Sequence, residues 1–184
     1  MERSTDALPL TTMPDAAARL ARVRVPLGFF ASLASLWFAH PSWRSLAFGV
    51  AISALGESMR VWAAGHLEKG REVTASGPYR FTGHPLYLGS TLIGVGFAVA
   101  ANSPIVAAIA VLYLVLTLGA AIRTEEAGLR AKFGAEYVDY RAGRASGAER
   151  PFSLARAIRN REQRAVVGLA VVMFLLALKV WFGL

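Results

Sequence analysis

Residues 86–122 read LYLGSTLIGVGFAVAANSPIVAAIAVLYLVLTLGAAI, without a single Asp, Glu, Lys or Arg. A helix needs about 20 apolar residues to cross a bilayer, so this tract is long enough for two crossings. Asn102-Ser103-Pro104 divides it. A proline pushes the residue before it out of the helical region, and the polar pair favours a turn. The expected structure is a helical hairpin with arms at 86–101 and 104–122.

Outward from this hairpin, further apolar tracts lie at 25–39, 43–65 and 165–184, and His40-Pro41-Ser42 separates the first two. The expected fold is therefore all-α: an integral membrane helical bundle of five transmembrane helices. A soluble bundle of buried helices is the alternative, and the uncharged hairpin weighs against it. Composition agrees. Hydrophobic residues make up 55% of the 184 positions, charged residues 17%, and the mean hydropathy is +0.44. A soluble domain of this size cannot bury such an excess, and disorder or a coiled coil is excluded by the same balance. Cysteine is absent, which removes disulfides, thiolate metal ligands and a cysteine nucleophile; no metal site is expected. Residues 1–24 read as a polar tail. Asp6 and Asp15 and the lack of an apolar run argue against a signal peptide.

Charge placement orients the bundle. Of the 20 Lys and Arg residues, seventeen fall on one side of a five-span arrangement. They lie in the tail, in the loop after the second span (Lys69, Arg71, Arg80), and in the stretch from Arg123 to Arg164. By the positive-inside rule that side is cytoplasmic, and the N-terminus with it. The net charge of +8 thus traces a membrane face rather than a separate basic domain, and nucleic-acid binding is not expected. The bilayer is the expected partner. A prokaryotic inner membrane is the expected location, with an endoplasmic-reticulum-like membrane as the alternative.

The side chains capable of chemistry gather in two cytoplasmic segments, 66–87 and 123–144, each adjoining the hairpin. His84-Pro85-Leu86-Tyr87 opens the third span, with His84 at the N-cap position and Pro85 in the first turn, where its missing donor costs nothing. Such a pair either anchors the helix at the interface or binds a polar ligand. Glu125-Glu126 lies just past the fourth span. Adjacent carboxylates there need a reason: a cationic ligand, or pairing with Arg123 or Arg130. Leu129, Phe133, Tyr137 and Tyr140 follow at helical spacing, which predicts one cytoplasmic amphipathic helix with Arg130, Lys132 and Asp139 pointing elsewhere. Within the second span, Glu57 and Arg60 are spaced to form a structural ion pair. Gly94 and Gly96 permit close helix packing.

The ordered set Gly77-Pro78-Tyr79, His84-Pro85-x-Tyr87-x-Gly89, hairpin, Glu125-Glu126-x-x-Leu129 and Phe133-Gly134-x-x-Tyr137-x-x-Tyr140 resembles the isoprenylcysteine carboxyl methyltransferase family and its phospholipid methyltransferase relatives. The resemblance covers about residues 65–144. It implies a membrane domain over 25–150 that uses S-adenosylmethionine, bound between the 66–87 and 123–144 segments on the cytoplasmic side. Carried over by position, Glu72, Val73 and Thr74 line the cofactor, Tyr79, His84, Pro85 and Tyr87 border or contact it, and Glu125 with Glu126 holds its far end. The acceptor implied is lipophilic, a carboxylate of a prenylcysteine-like or other isoprenoid or lipid substrate, with Arg123 as the candidate to orient it. This chain has Gly83 where the family usually has an arginine before His-Pro, and Ala121 where prenylcysteine-acting members carry an arginine, so the cofactor half matches more fully than the acceptor half. Two other readings remain beside it: a phospholipid amine N-methyltransferase, and an NADPH-dependent sterol-type reductase, which shares the His-Pro-x-Tyr-x-Gly stretch. The segment 151–184, a basic linker and terminal span, lies outside the resemblance.

Overall fold

The structure is a computed structural model that describes residues 16–144 and 150–184, with side chains from Leu27 onward. Residues 1–15 of the expected tail lie outside the described residues. The helices are α1 (Ala16–Phe38), α2 (Trp43–His66), α3 (Pro85–Ala101), α4 (Pro104–Phe133), α5 (Ala135–Arg141), α6 (Leu154–Arg159) and α7 (Gln163–Trp181), with a 3-10 turn at Gly77–Arg80. No strand occurs among the described residues. The all-α expectation holds.

Local chemistry sets the breaks. Ser42 caps α2: its hydroxyl accepts from the Ser45 N–H at 3.1 Å, and the Ser45 hydroxyl accepts from the Ser42 N–H at 2.9 Å, a reciprocal capping box. Asn102 ends α3 in the left-handed region (φ 49°), and Ser103-Pro104 restarts the chain as α4. The two breaks lie together, because the His40 N–H donates to the Ala101 carbonyl at 2.8 Å and the Asn102 amide donates to the His40 carbonyl at 3.1 Å. Lys179 Nζ donates to the Leu36 carbonyl at 2.8 Å, which brings the end of α7 to the same end. Nearby, Leu46, Val106, Met173 and Leu176 are buried with several alanines as an apolar core.

The backbones of α2 and α3 nearly touch. A Cβ on Gly56 would stand 2.7 Å from the Gly89 carbonyl oxygen, and one on Gly96 would stand 2.6 Å from that of Gly49. Small residues permit such an approach in apolar surroundings. By contrast Gly94 faces Leu114 of α4.

Helices α4 and α7 are long and apolar enough to cross a membrane, while Leu27–Phe38 and Pro85–Ala101 are apolar but shorter. Helix α2 carries Arg44, Glu57 and Arg60. Phe30, Phe48, Val115 and Phe174 are each exposed by 60% or more. An apolar surface of that extent is the mark of a lipid or protein partner.

Several boundaries differ from expectation. Helix α1 begins at Ala16, inside the expected tail. Helix α4 does not stop at Ile122 but continues to Phe133, so Glu125 and Glu126 ride on the same helix as the span. The expected single amphipathic helix is broken at Gly134, whose φ of 50° is left-handed. The linker after residue 150 holds α6, packed on α2. Finally, Arg60 does not reserve itself for Glu57. Its Nε lies 2.6 Å from Glu162 Oε1 against 3.9 Å from Glu57, and its Nη1 donates to Ser90. A partner 102 positions away is invisible to helical spacing.

Candidate active site

At the end of the bundle opposite the capped turns, α3 and α4 border a cavity of about 490 Å3. That is within the roughly 300–1,000 Å3 typical of small-molecule sites. One wall is the loop after α2, with Leu67, Lys69, Gly70, Glu72, Val73 and Thr74. A second is Tyr79 of the 3-10 turn with Leu86 and Tyr87 at the start of α3. The third is one face of α4, from Thr117 through Ala120, Ala121, Thr124, Glu125 and Gly128 to Leu129, Lys132 and Phe133, with Tyr137 and Tyr140 of α5 closing over it. The two segments singled out from the sequence therefore share one cavity.

Each part has a local cause. Pro85 occupies the first turn of α3 and His84 its N-cap position, which turns Tyr87 toward α4. The Tyr87 hydroxyl donates to Glu125 Oε2 at 2.5 Å, so a charged carboxylate is fixed at the cavity wall. His84 Nε2 lies 3.1 Å from Glu126 Oε1, and Arg141 Nη2 lies 3.3 Å from the same oxygen. The adjacent carboxylates thus take different tasks. Glu125 faces the cavity, whereas Glu126 ties α3 and α5 to α4. Of the partners weighed from the sequence, Arg130 acts on Glu126 through its charge without closing an ion pair, and no contact to Arg123 is seen among the described residues. The His84 hydrogen bond holds the Glu126 carboxyl below its ordinary range, against the opposing effect of burial. Burial pushes the Tyr79 phenol well above its ordinary value and raises that of Tyr140, so both stay neutral.

The break at Gly134 redirects the chain so that Tyr137 is almost fully buried and the Tyr140 hydroxyl donates to the Tyr79 carbonyl at 2.8 Å. Leu129, Phe133, Tyr137 and Tyr140 converge on the cavity although they do not share one straight helix. Lys132, expected to point away, lines the cavity and donates from Nζ to the Gly70 carbonyl at 2.6 Å.

Of the candidate residues, Glu72, Val73, Thr74, Tyr79, Tyr87 and Glu125 line the cavity. His84 and Glu126 stand behind the lining as a supporting pair, and Pro85 is buried in the helix start. Arg123 is exposed and lies outside the lining. Sequence reasoning missed Thr117, Ala120, Ala121, Thr124 and Gly128. Their three- and four-residue spacing, a stripe of small and hydroxyl side chains leading to Glu125, is the signal that could have found them.

Residues 33–136 match the family model described as phospholipid methyltransferase. No curated protein and no solved structure matches the chain.

Proposed function

The chain belongs to the phospholipid methyltransferase family, and from that premise we propose that it is an S-adenosylmethionine-dependent methyltransferase of a lipophilic acceptor, held in a five-span bundle with the cavity on the cytoplasmic side. The observation that carries this reading is the shared cavity, with the Tyr87–Glu125 pair in its wall.

The residues fit the group. When bound, S-adenosylmethionine supplies an electrophilic methyl on a sulfonium cation, beside an ammonium, a carboxylate and an adenine. Glu125 offers a fixed carboxylate for positive charge, and Tyr87 holds it in one rotamer. Tyr79, Tyr87 and Tyr137 offer aromatic faces, which suit both a cation and a flat ring. Glu72 and Thr74 offer acceptors and a hydroxyl on the loop side. Leu86, Leu129 and Phe133 exclude water, which strengthens each of these attractions. Ala120, Ala121 and Gly128 keep the α4 wall shallow. The carboxylate at the wall also argues against NADPH, whose phosphates it would repel.

For the acceptor, the family and the lining favour a phospholipid amine head group over an isoprenoid carboxylate. Among the described lining residues there is no arginine to clamp a carboxylate in two parallel hydrogen bonds; the lining cations are Lys69 and Lys132, and Lys132 donates to the Gly70 carbonyl. Attack would come from the neutral amine, after the ammonium has lost a proton to water: its nitrogen would form a bond to the methyl as the carbon–sulfur bond breaks and S-adenosylhomocysteine leaves, and positioning by the cavity does the remaining work.

Isothermal titration of the detergent-purified protein with S-adenosylhomocysteine tests the cofactor. Binding is expected, with Glu125→Ala weakening it by about tenfold or more and His84→Ala by less, as befits one charge-assisted contact and one supporting pair. No binding, or variants indistinguishable from the parent, would remove the reading; a thermal shift with NADPH instead would move it to the reductases. Mass spectrometry of lipids from cells with and without the protein identifies the acceptor, since a methyl on nitrogen survives alkaline treatment and a methyl ester does not.

A further inference from the structure

The basic segment that begins at Arg150 lies outside the matched span 33–136 and outside the lining of the cavity described above. It is nevertheless fastened to the cavity loop. Arg150 Nη2 donates to Glu72 Oε2 at 2.6 Å, and Arg150 Nη1 lies 3.6 Å from Glu68 Oε1. Arg156 grips the root of the same loop, with Nε donating to Glu68 Oε1 at 2.8 Å and Nη1 to the Gly65 carbonyl at 2.5 Å. The Asn160 amide donates to the Ala64 and Leu67 carbonyls, each at 2.9 Å. The Glu68 N–H donates in turn to Thr74 Oγ1 at 3.3 Å, which closes the loop on itself.

From this geometry we infer that Arg150 is a positioning residue of the binding site: through Glu72 it sets the loop wall, so the segment 150–160 is a working part of the cavity rather than a mere connection to α7. The inference rests on the cofactor reading above and deepens it. Glu72 sits on a loop with no helical neighbour to fix its rotamer. Arg150 holds Oε2 of a residue that itself lines the cavity. A guanidinium suits this task, because its planar fork can face the Glu72 and Glu68 carboxylates at once in a fixed geometry, where an ammonium is a point charge on a flexible stem. From the opposite side Lys132 holds the Gly70 carbonyl, so the loop is clamped between α4 and the strap.

The test is a double-mutant cycle on the full-length protein in detergent, read by titration with S-adenosylhomocysteine and by thermal unfolding. Arg150→Gln and Glu72→Gln are each expected to weaken binding by about tenfold, as loss of one charge-assisted contact does, and the double variant to be no weaker than either single one. Arg150→Lys restores part of the affinity. Unfolding midpoints of all four proteins stay close together, a result that a purely structural strap would not give. Independent, additive losses, or unchanged affinity in Arg150→Gln, would overturn the inference while the parent still binds. If Arg150→Gln does not fold, the cycle is run with Arg150→Lys. A parent that does not bind at all removes the cofactor reading itself and the inference with it.

Discussion

Helix α3 has two very different neighbours. Against α2 it is packed backbone to backbone, with Gly56 against Gly89 and Gly96 against Gly49. Against α4 it parts toward the end that carries His84, and the space between them is the cavity. The contrast assigns a division of labour. The α2–α3 pair is the rigid frame, and the α3–α4 pair is a wedge whose opening the Tyr87–Glu125 and His84–Glu126 contacts span. Glycine serves both interfaces for opposite reasons. On α2 and α3 its missing Cβ lets main chains meet. On α4, Gly128 has nothing within 4 Å of the position a Cβ would take, so its missing side chain leaves room for a ligand.

Bulk added to the frame is the most severe way to break this comparison. In Gly56→Leu the new Cβ would lie 2.7 Å from the Gly89 carbonyl oxygen and 2.9 Å from the Ile93 nitrogen, both main-chain atoms that cannot swing aside. The expected cost is about 3 kcal/mol or more, the upper end for overpacking, read as loss of monodisperse protein on detergent size exclusion or a midpoint lower by roughly 10 °C. A variant as stable as the parent would mean that the two helices slide freely, and the frame would not exist.

Bulk added to the wedge should do the opposite. Gly128→Leu is expected to leave the unfolding midpoint within about 2 °C, since glycine is a poor helix interior residue and the new side chain meets no wall. It should nonetheless reduce S-adenosylhomocysteine affinity by about a hundredfold by filling the cavity. Gly119→Leu, on the same helix with open space at its Cβ but outside the lining, is the control that should change neither. Equal effects of the two substitutions would detach the cavity from binding.

The same contrast explains what could be read from the sequence. The frame was legible in part, because proline, serine and asparagine at 41–42 and 102–104 announce the turns in local chemistry. Gly96 was recognised as a packing position, but its partner Gly49 lies too far away in the chain for any periodicity to name it. The site was legible where residue types are rare in apolar tracts, as with His84, Tyr87 and Glu125. It was illegible where a residue's task depends on a distant partner. Arg60 finds Glu162, Glu126 finds Arg141, and Lys132 finds Gly70 only after the chain has folded. Arg123 drew attention as the arginine nearest Ala121, yet two residues further along the helix it is exposed and outside the lining. The continuity of α4 through Phe133 escaped because charge was read as the end of a span, whereas a helix can leave the membrane and continue through water.

The smallest expected effect concerns the strap rather than either helix pair, and it sharpens the comparison by asking whether the wedge has a third support. Hydrogen bonding from Arg156, aided by the charges of Arg159 and Arg150, holds the Glu68 carboxyl below its ordinary value. A carboxyl whose folded pKa lies below the unfolded one contributes stability that is fully present above the unfolded value of about 4.3 and is lost as pH falls through the folded value. Glu68→Gln should therefore unfold at a temperature lower by about 2 °C at neutral pH, and the gap to the parent should close as the pH is taken below 4. Glu68 lies at the protein's edge, where screening by water and salt keeps the difference small. If the gap persists unchanged into acid, the arginines around Glu68 act by shape alone, and the strap's grip on the cavity loop is carried by Arg150 and Asn160 without the aid of this charge.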